Sequence, residues 1–133
     1  CALPISEGDM RKAINSLQKA AYSFDGNIDK KSVLISCNVP DPEDINQVTQ
    51  KCREGEFEDA CGMLEQLIDR GYYYNDIIIG FTHNLTRVIE VEEEIRLALL
   101  QTVHHTKINI CTGIRTRLQL CAMLGRMVRI FNP

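Results

Sequence analysis

The stretch that decides the fold runs from Phe57 to Gly71 and reads FEDACGMLEQLIDRG. Its apolar residues recur three and four positions apart, which places them on one face of an α-helix, and they are Phe57, Ala60, Cys61, Leu64, Leu67 and Ile68. Gly71 follows the last turn, where a glycine commonly ends a helix. The stretch therefore predicts an amphipathic helix that buries one face against other helices.

Apolar residues before this stretch also recur at helical spacing. It predicts a first helix with one buried stripe, made of Met10, Ile14, Leu17, Ala21 and Phe24. Ser6 or Asp9 can cap that helix, and Asp29 can cap a short second one. Pro40 and Pro42 then interrupt the pattern, because proline lacks a backbone N–H and restricts the residue before it. We expect a domain boundary there, after residue 39.

Five helices are predicted after the boundary, so the chain is expected to be all-α with seven helices. The third begins at Pro42, and the stretch quoted above is the fourth. The fifth passes through Ile77 to Val88, and the sixth begins at Glu92–Glu94, where acids favour the positive end of the helix dipole. No segment alternates as a half-buried strand does.

The last predicted helix, residues 114–131, has two apolar stripes instead of one. The first is Ile114, Leu118, Cys121, Leu124 or Gly125, Val128 and Phe131, and the second is Leu120, Met123, Met127 and Ile130. A surface helix needs one stripe, so the second indicates a central place in the bundle, burial against another chain, or both. If it is an assembly surface, a charge at Leu120 or Met123 should prevent co-purification with partners.

The charges are unevenly distributed. The 133 residues have a net charge of −3, which argues against a freestanding nucleic-acid binder, and 44% are hydrophobic, which excludes a disordered chain. Residues 1–67 contain 7 bases and 12 acids, whereas residues 68–133 contain 8 bases and 6 acids. No acid follows Ile95. This asymmetry indicates two surfaces for different neighbours, although a solvated face explains it equally well.

The motifs of common catalytic and metal sites are missing from the sequence. It has 6 cysteines but no CxxC pair, so we expect buried free thiols and not zinc ligands. The adjacent His104 and His105 point about 100° apart on a helix and chelate poorly. Phosphate-loop, GxGxxG, HExxH and GxSxG motifs are absent. No apolar run approaches the length of a membrane span, and no secretion signal opens the chain. We therefore expect no catalytic residue, no metal and a reducing compartment.

One segment is much more specific. Residues 6–18, SEGDMRKAINSLQ, resemble the sensor 2 motif GDxRxAxNxLQ of the AAA+ clamp-loader ATPases. Later patches resemble the collar of replication factor C small subunits, and they are Phe57–Leu67 with Gly71 and Tyr72, Asp76–Ile78, His105–Ile108 with Gly113, and Leu118–Leu120.

The resemblance implies a fold and a division of the chain. Residues 1–39 would be the end of an AAA+ lid, and residues 40–133 a five-helix collar that joins other clamp loader subunits. The phosphate loop and the magnesium-binding acids of this family lie in a base domain that would precede residue 1. The chain would then be a C-terminal fragment of an ATPase, with no enzymatic activity of its own.

The resemblance also implies function and partners. Five collars would form the ring that loads the sliding clamp onto primer-template DNA with ATP, in the nucleus, and only the parent protein would bind ATP. Arg11 would reach the terminal phosphate of that ATP, since a guanidinium makes directional, charge-assisted bonds to phosphate. An ordinary ion pair with Glu7 is the other interpretation of Arg11.

Two other functions stay open. The helical hairpins after Pro42 also fit an adaptor or oligomerisation module without a link to nucleotide, although no fixed-period repeat is visible. Another AAA+ relative with the same lid and collar is the second alternative.

Overall fold

The structure is a computed structural model that describes residues 9–23 and 29–133. Within those residues it contains seven helices and no strand. The helices are α1 (Met10–Ser23), α2 (Lys30–Cys37), α3 (Pro42–Glu54), α4 (Phe57–Asp69), α5 (Tyr74–Arg87), α6 (Glu93–Cys111) and α7 (Arg117–Phe131). The all-α prediction is confirmed, with two helices before the prolines and five after them.

The chain divides into two compact units, Cys1–Asp41 and Pro42–Pro133. In the first unit α1 packs against α2. Asp9 caps α1, because its Oδ1 accepts a hydrogen bond of 2.9 Å from the backbone N–H of Arg11. Ser6, the other candidate cap, lies outside the described residues. The buried side chains are small on α1 and larger on α2, and they are Ala13, Ala20, Val33 and Leu34.

The prediction that α1 buries this stripe is wrong in the described residues. Met10 is 61% exposed, Ile14 51% and Leu17 39%. The helix buries Ala13 and Ala20 instead. Phe24, the last member of the predicted stripe, lies outside the described residues.

The second unit is a five-helix bundle organised around α3, which packs against α4, α5 and α7. The remaining helix pairs are α6 with α7, α5 with α6 and α4 with α7. Phe81 of α5 is the largest fully buried side chain in the described residues. Buried Thr49 is compatible with this core because its hydroxyl donates a hydrogen bond of 2.8 Å to the Ile45 carbonyl.

The turn after α4 has the geometry that the sequence predicts. Gly71 has a φ of +92°, a left-handed conformation that favours glycine. Its N–H donates to the Ile68 carbonyl at 2.9 Å, and the N–H of Tyr72 donates to the Leu67 carbonyl at 3.4 Å. These bonds satisfy carbonyls of the last helical turn.

Two predicted helix ends need correction. α7 begins at Arg117, three residues later than predicted, because the Thr116 hydroxyl caps it by accepting from the N–H of Gln119 at 3.4 Å. Ile114 therefore precedes the helix. Val88, which was predicted to lie within the fifth helix, follows the end of α5 and is 53% exposed.

The two stripes of α7 are buried to different extents. In the second stripe Leu120, Met123 and Met127 are fully buried in the chain's own bundle. In the first stripe Leu124 is fully buried as well, but Leu118 is 76% exposed. A charge at Leu120 or Met123 would therefore disrupt the core of this chain. The predicted loss of co-purification would then not distinguish a lost assembly surface from unfolding.

Candidate functional site

Arg11 lies in the first turn of α1, where its side chain is exposed. The carboxylate of Asp9 holds the backbone of this turn and leaves the guanidinium to point into solvent. Lys12, the next residue, is exposed as well. Glu7, the alternative ion-pair partner of Arg11, lies outside the described residues. The structure thus places Arg11 at an accessible helix start, and its role toward ATP stays a prediction.

An apolar surface lies beside Arg11 on the same helix. Met10, Ile14 and Leu17 are three and four positions apart, so they share one side of α1. All three are exposed, although large apolar side chains gain free energy when they leave water. The periodicity of the sequence found this surface but assigned it to the core.

A second surface lies on α6 and α7, and we call it the α6–α7 face. The two helices are joined side by side, because Arg126 lies 3.5 Å from His105 and the Asn109 amide donates to Gln119 at 3.4 Å. Exposed positions recur on both helices, and the face consists of Leu97, Gln101, His105, Ile108, Leu118, Ala122, Arg126 and Arg129. It combines apolar, polar and basic side chains, and the exposed acids Glu93 and Glu94 border it one turn before Leu97.

Several acids of the second unit pair with bases outside this face. Arg70 binds Asp44 at 2.8 Å, and Lys51 binds Glu54 at 3.4 Å. Arg117, at the start of α7, reaches Asp69 of α4 at 2.8 Å. In the described part of the chain no ion pair is found for Arg126 or Arg129. The positive charge of the α6–α7 face is therefore not neutralised by this chain.

The cysteines are free in the described residues, and their burial differs. Cys52 is buried, as expected, whereas Cys111 is exposed, so the prediction of a buried thiol is wrong there. Burial raises the pKa of Cys52 to about 12, with a smaller effect of nearby Cys61. Burial, with a smaller effect of a hydrogen bond to Cys121, also raises the pKa of Cys61 to about 12. At neutral pH both thiols keep their protons.

A groove that the sequence analysis did not find lies at one end of the bundle. Its volume is about 760 Å³, and its lining combines apolar side chains with both signs of charge: Arg53, Glu90, Val91, Glu92, Ile95, Arg96 and Phe131. Because this lining contains both bases and acids, it favours neither an anionic nor a cationic ligand. Its lining comes from three separate segments, so sequence spacing contains no signal for it.

Over residues 9–23 and 29–133, no three His, Cys, Asp or Glu side chains form a group that could hold a metal ion. Within the same residues, no helix combines the length and apolar character needed to cross a membrane. The surfaces on α1, α6 and α7 are therefore the candidates for function.

The chain matches known proteins over most of its length. A family model, the replication factor C C-terminal domain, matches residues 40–126. A putative replication factor C small subunit of Acanthamoeba polyphaga mimivirus is 44% identical over 125 residues, which cover 94% of this chain and 39% of that protein. Replication factor C subunit 4 of Oryza sativa subsp. japonica is 32% identical over 94% of this chain and 37% of its own length. Replication factor C subunit 2 of Arabidopsis thaliana is 32% identical over 92% of this chain and 36% of its own length.

These matches first define the class of domain. Most of the five-helix unit corresponds to the helical C-terminal domain of replication factor C. The chain belongs to the replication factor C small-subunit family. The resemblance stated from the sequence is thereby confirmed. The chain spans less than two fifths of the length of these relatives.

Proposed function

We propose that this chain is the lid end and collar of a clamp loader small subunit. Residues 40–133 hold the subunit in a heteropentameric ring, and the ring loads the sliding clamp onto primed DNA with ATP, in the nucleus. The observation that carries this proposal is the family match, which begins at residue 40 and covers most of the five-helix unit. The ATPase chemistry belongs to the parent protein and not to this chain.

The α6–α7 face is the collar surface that we propose meets a neighbouring subunit. Leu118 is 76% exposed and Ile108 61%, and burial of such side chains stabilises a contact. The unpaired Arg126 and Arg129 favour a neighbour whose facing surface is acidic, since complementary charge orients subunits and speeds their association. The contact is heterologous, because a ring member offers different surfaces on its two sides.

Co-expression of the full-length subunit with its partner subunits tests this role. The double variant Leu118→Asp, Arg126→Glu changes two exposed residues, so it should fold while partner recovery falls at least tenfold. Arg87→Glu is the matched control, since Arg87 is an exposed arginine on α5, outside this face. Circular dichroism checks folding. Normal recovery of a folded double variant would refute the face as an assembly surface.

Arg11 is proposed to contact the terminal phosphate of ATP in the full-length protein. Its exposure at a capped helix start supports this role, because a guanidinium there can extend to a bound anion without breaking a contact. Arg11→Ala should weaken ATP-driven clamp binding and leave the ring assembled. Lys12→Ala, which removes a neighbouring exposed charge, should change neither. Unchanged clamp binding in the Arg11 variant would contradict the assignment.

A further inference from the structure

Two cysteines from distant parts of the sequence face each other between α4 and α7. Phe57 marks one end of this helix pair, because a Cβ added to Gly125 would lie 3.4 Å from Phe57 Cε2. Cys61 is one turn after Phe57, and Cys121 is one turn before Gly125. In antiparallel helices this register puts the two cysteines opposite each other.

A second contact confirms the register. Further along the same helices, Arg117 Nη2 lies 2.8 Å from Asp69 Oδ1. Cys61 and Cys121 therefore lie between two observed contacts that join the same pair of helices. Both side chains are only partly buried, so a small reagent can approach them. Cys52 also lies near Cys61, but it is fully buried.

The two thiols interact in the reduced protein. Burial, together with a smaller effect of a hydrogen bond to Cys121, raises the pKa of Cys61 to about 12. The two thiols are therefore neighbours in the reduced protein, in agreement with the register of the two helices.

We propose that Cys61 and Cys121 form a reversible disulfide that links α4 to α7 when the protein meets a small-molecule disulfide such as oxidised glutathione. The Cys121 sulfur, as thiolate, attacks one sulfur of glutathione disulfide, and a glutathione thiolate leaves. Cys61 then loses its proton to solvent and attacks the Cys121 sulfur of the mixed disulfide, which releases the second glutathione. Two protein thiols are oxidised, and one glutathione disulfide is reduced to two thiols.

The high pKa of Cys61 limits the rate of the second step of this reaction. The second step needs the Cys61 thiolate, and this thiolate is scarce at neutral pH. Closure of the disulfide should therefore accelerate about tenfold per pH unit in the neutral range, as long as the second step limits the rate. The mixed disulfide at Cys121 should accumulate before the disulfide closes.

The experiment uses this chain with Cys1→Ser and Cys111→Ser, which removes an exposed thiol and one outside the described residues. The protein is equilibrated with mixtures of reduced and oxidised glutathione, quenched with acid and mapped by mass spectrometry. We expect a peptide pair linked through Cys61 and Cys121, and a mass lower by two hydrogens. The midpoint of unfolding should rise by roughly 10 °C, since the bond closes a long loop, and dithiothreitol should reverse the shift.

Variants separate this pairing from other oxidation products. Cys61→Ala and Cys121→Ala should each abolish the cross-link and the thermal shift, and alanine keeps an apolar side chain at these positions. Cys37→Ala is the matched control at a partly buried thiol outside the five-helix unit, and it should keep both. A stable glutathione adduct without closure, or a link between Cys52 and Cys61, would overturn the proposal. The experiment reads out this chain alone, so its result does not depend on the proposed function.

Discussion

Leu118 and Leu120 allow a direct test of how α7 sits in the bundle, since they are two positions apart and face opposite sides. Leu120 is completely buried, whereas Leu118 is 76% exposed. The same substitution, leucine to alanine, can be made at both. It removes three carbon atoms in each case, so any difference between the variants reports the surroundings and not the chemistry.

The expected magnitudes follow from burial. At Leu120 the lost carbons are worth about 2.4 kcal/mol at roughly 0.8 kcal/mol each, and the cavity left behind raises the cost to about 3 kcal/mol. For a unit of this size, such a loss lowers the unfolding midpoint by roughly 12–20 °C. At Leu118 the side chain is already in water, so the change should stay within about 0.5 kcal/mol.

Urea and thermal unfolding of the 133-residue chain, followed by circular dichroism, measure both effects. The m-value should stay the same in the two variants, because neither changes the area exposed on unfolding by much. Equal destabilisation by the two substitutions, or a larger effect at Leu118, would refute the orientation of α7 and with it the α6–α7 face.

Three further changes probe local features. Gly71→Ala should destabilise the chain by about 1 kcal/mol because Gly71 has a φ of +92°, and urea unfolding measures this. Gly62→Ala, inside α4 with open space around its Cβ position, should stabilise it by about 1 kcal/mol in the same assay; equal signs for the two would contradict the turn geometry. Burial raises the pKa of Asp76, so its contribution to stability is complete below the unfolded pKa and is lost as pH rises through the folded pKa. Asp76→Asn should therefore be more stable relative to wild type at pH 7 than at pH 3, and a difference independent of pH would argue against this cause.

Helix positions could be predicted from the sequence because the signals were local. In α4 the apolar spacing, from Phe57 to Ile68, agrees with a glycine stop at Gly71, and the structure confirms both. Because the apolar spacing and the glycine stop agree, few other helix boundaries fit this segment. The Pro40 and Pro42 break was visible for the same reason, since proline restricts the backbone at its own position.

The buried face of α1 could not be predicted from the same kind of pattern. Ala13 and Ala20 lie on the side of this helix next to Met10, Ile14 and Leu17, so its apolar surface is broad. Periodicity locates such a surface but does not show which part of it a neighbouring helix covers. That choice depends on how α2 packs against α1.

The candidate sites were predicted unevenly. Arg11 could be singled out because its motif is contiguous, and its role toward ATP stays a prediction. The lack of acids after Ile95 pointed to a special surface without saying which side chains share it. The Cys61 and Cys121 pair left no local signal, because their proximity depends on the register of two helices that are distant in the chain.

The central place of α3 has a consequence for synthesis of the protein. α3 is the first helix of its unit to leave the ribosome, yet it packs against α7, whose first residue is Arg117. Translation from Glu54 to Arg117 takes about 3–12 s at 5–20 residues per second. During that interval α3 can meet α4 and α5, but the part of its surface that α7 covers has no final neighbour. The nascent chain therefore offers this part of α3 to chaperones, and its core closes only after α7 has been made.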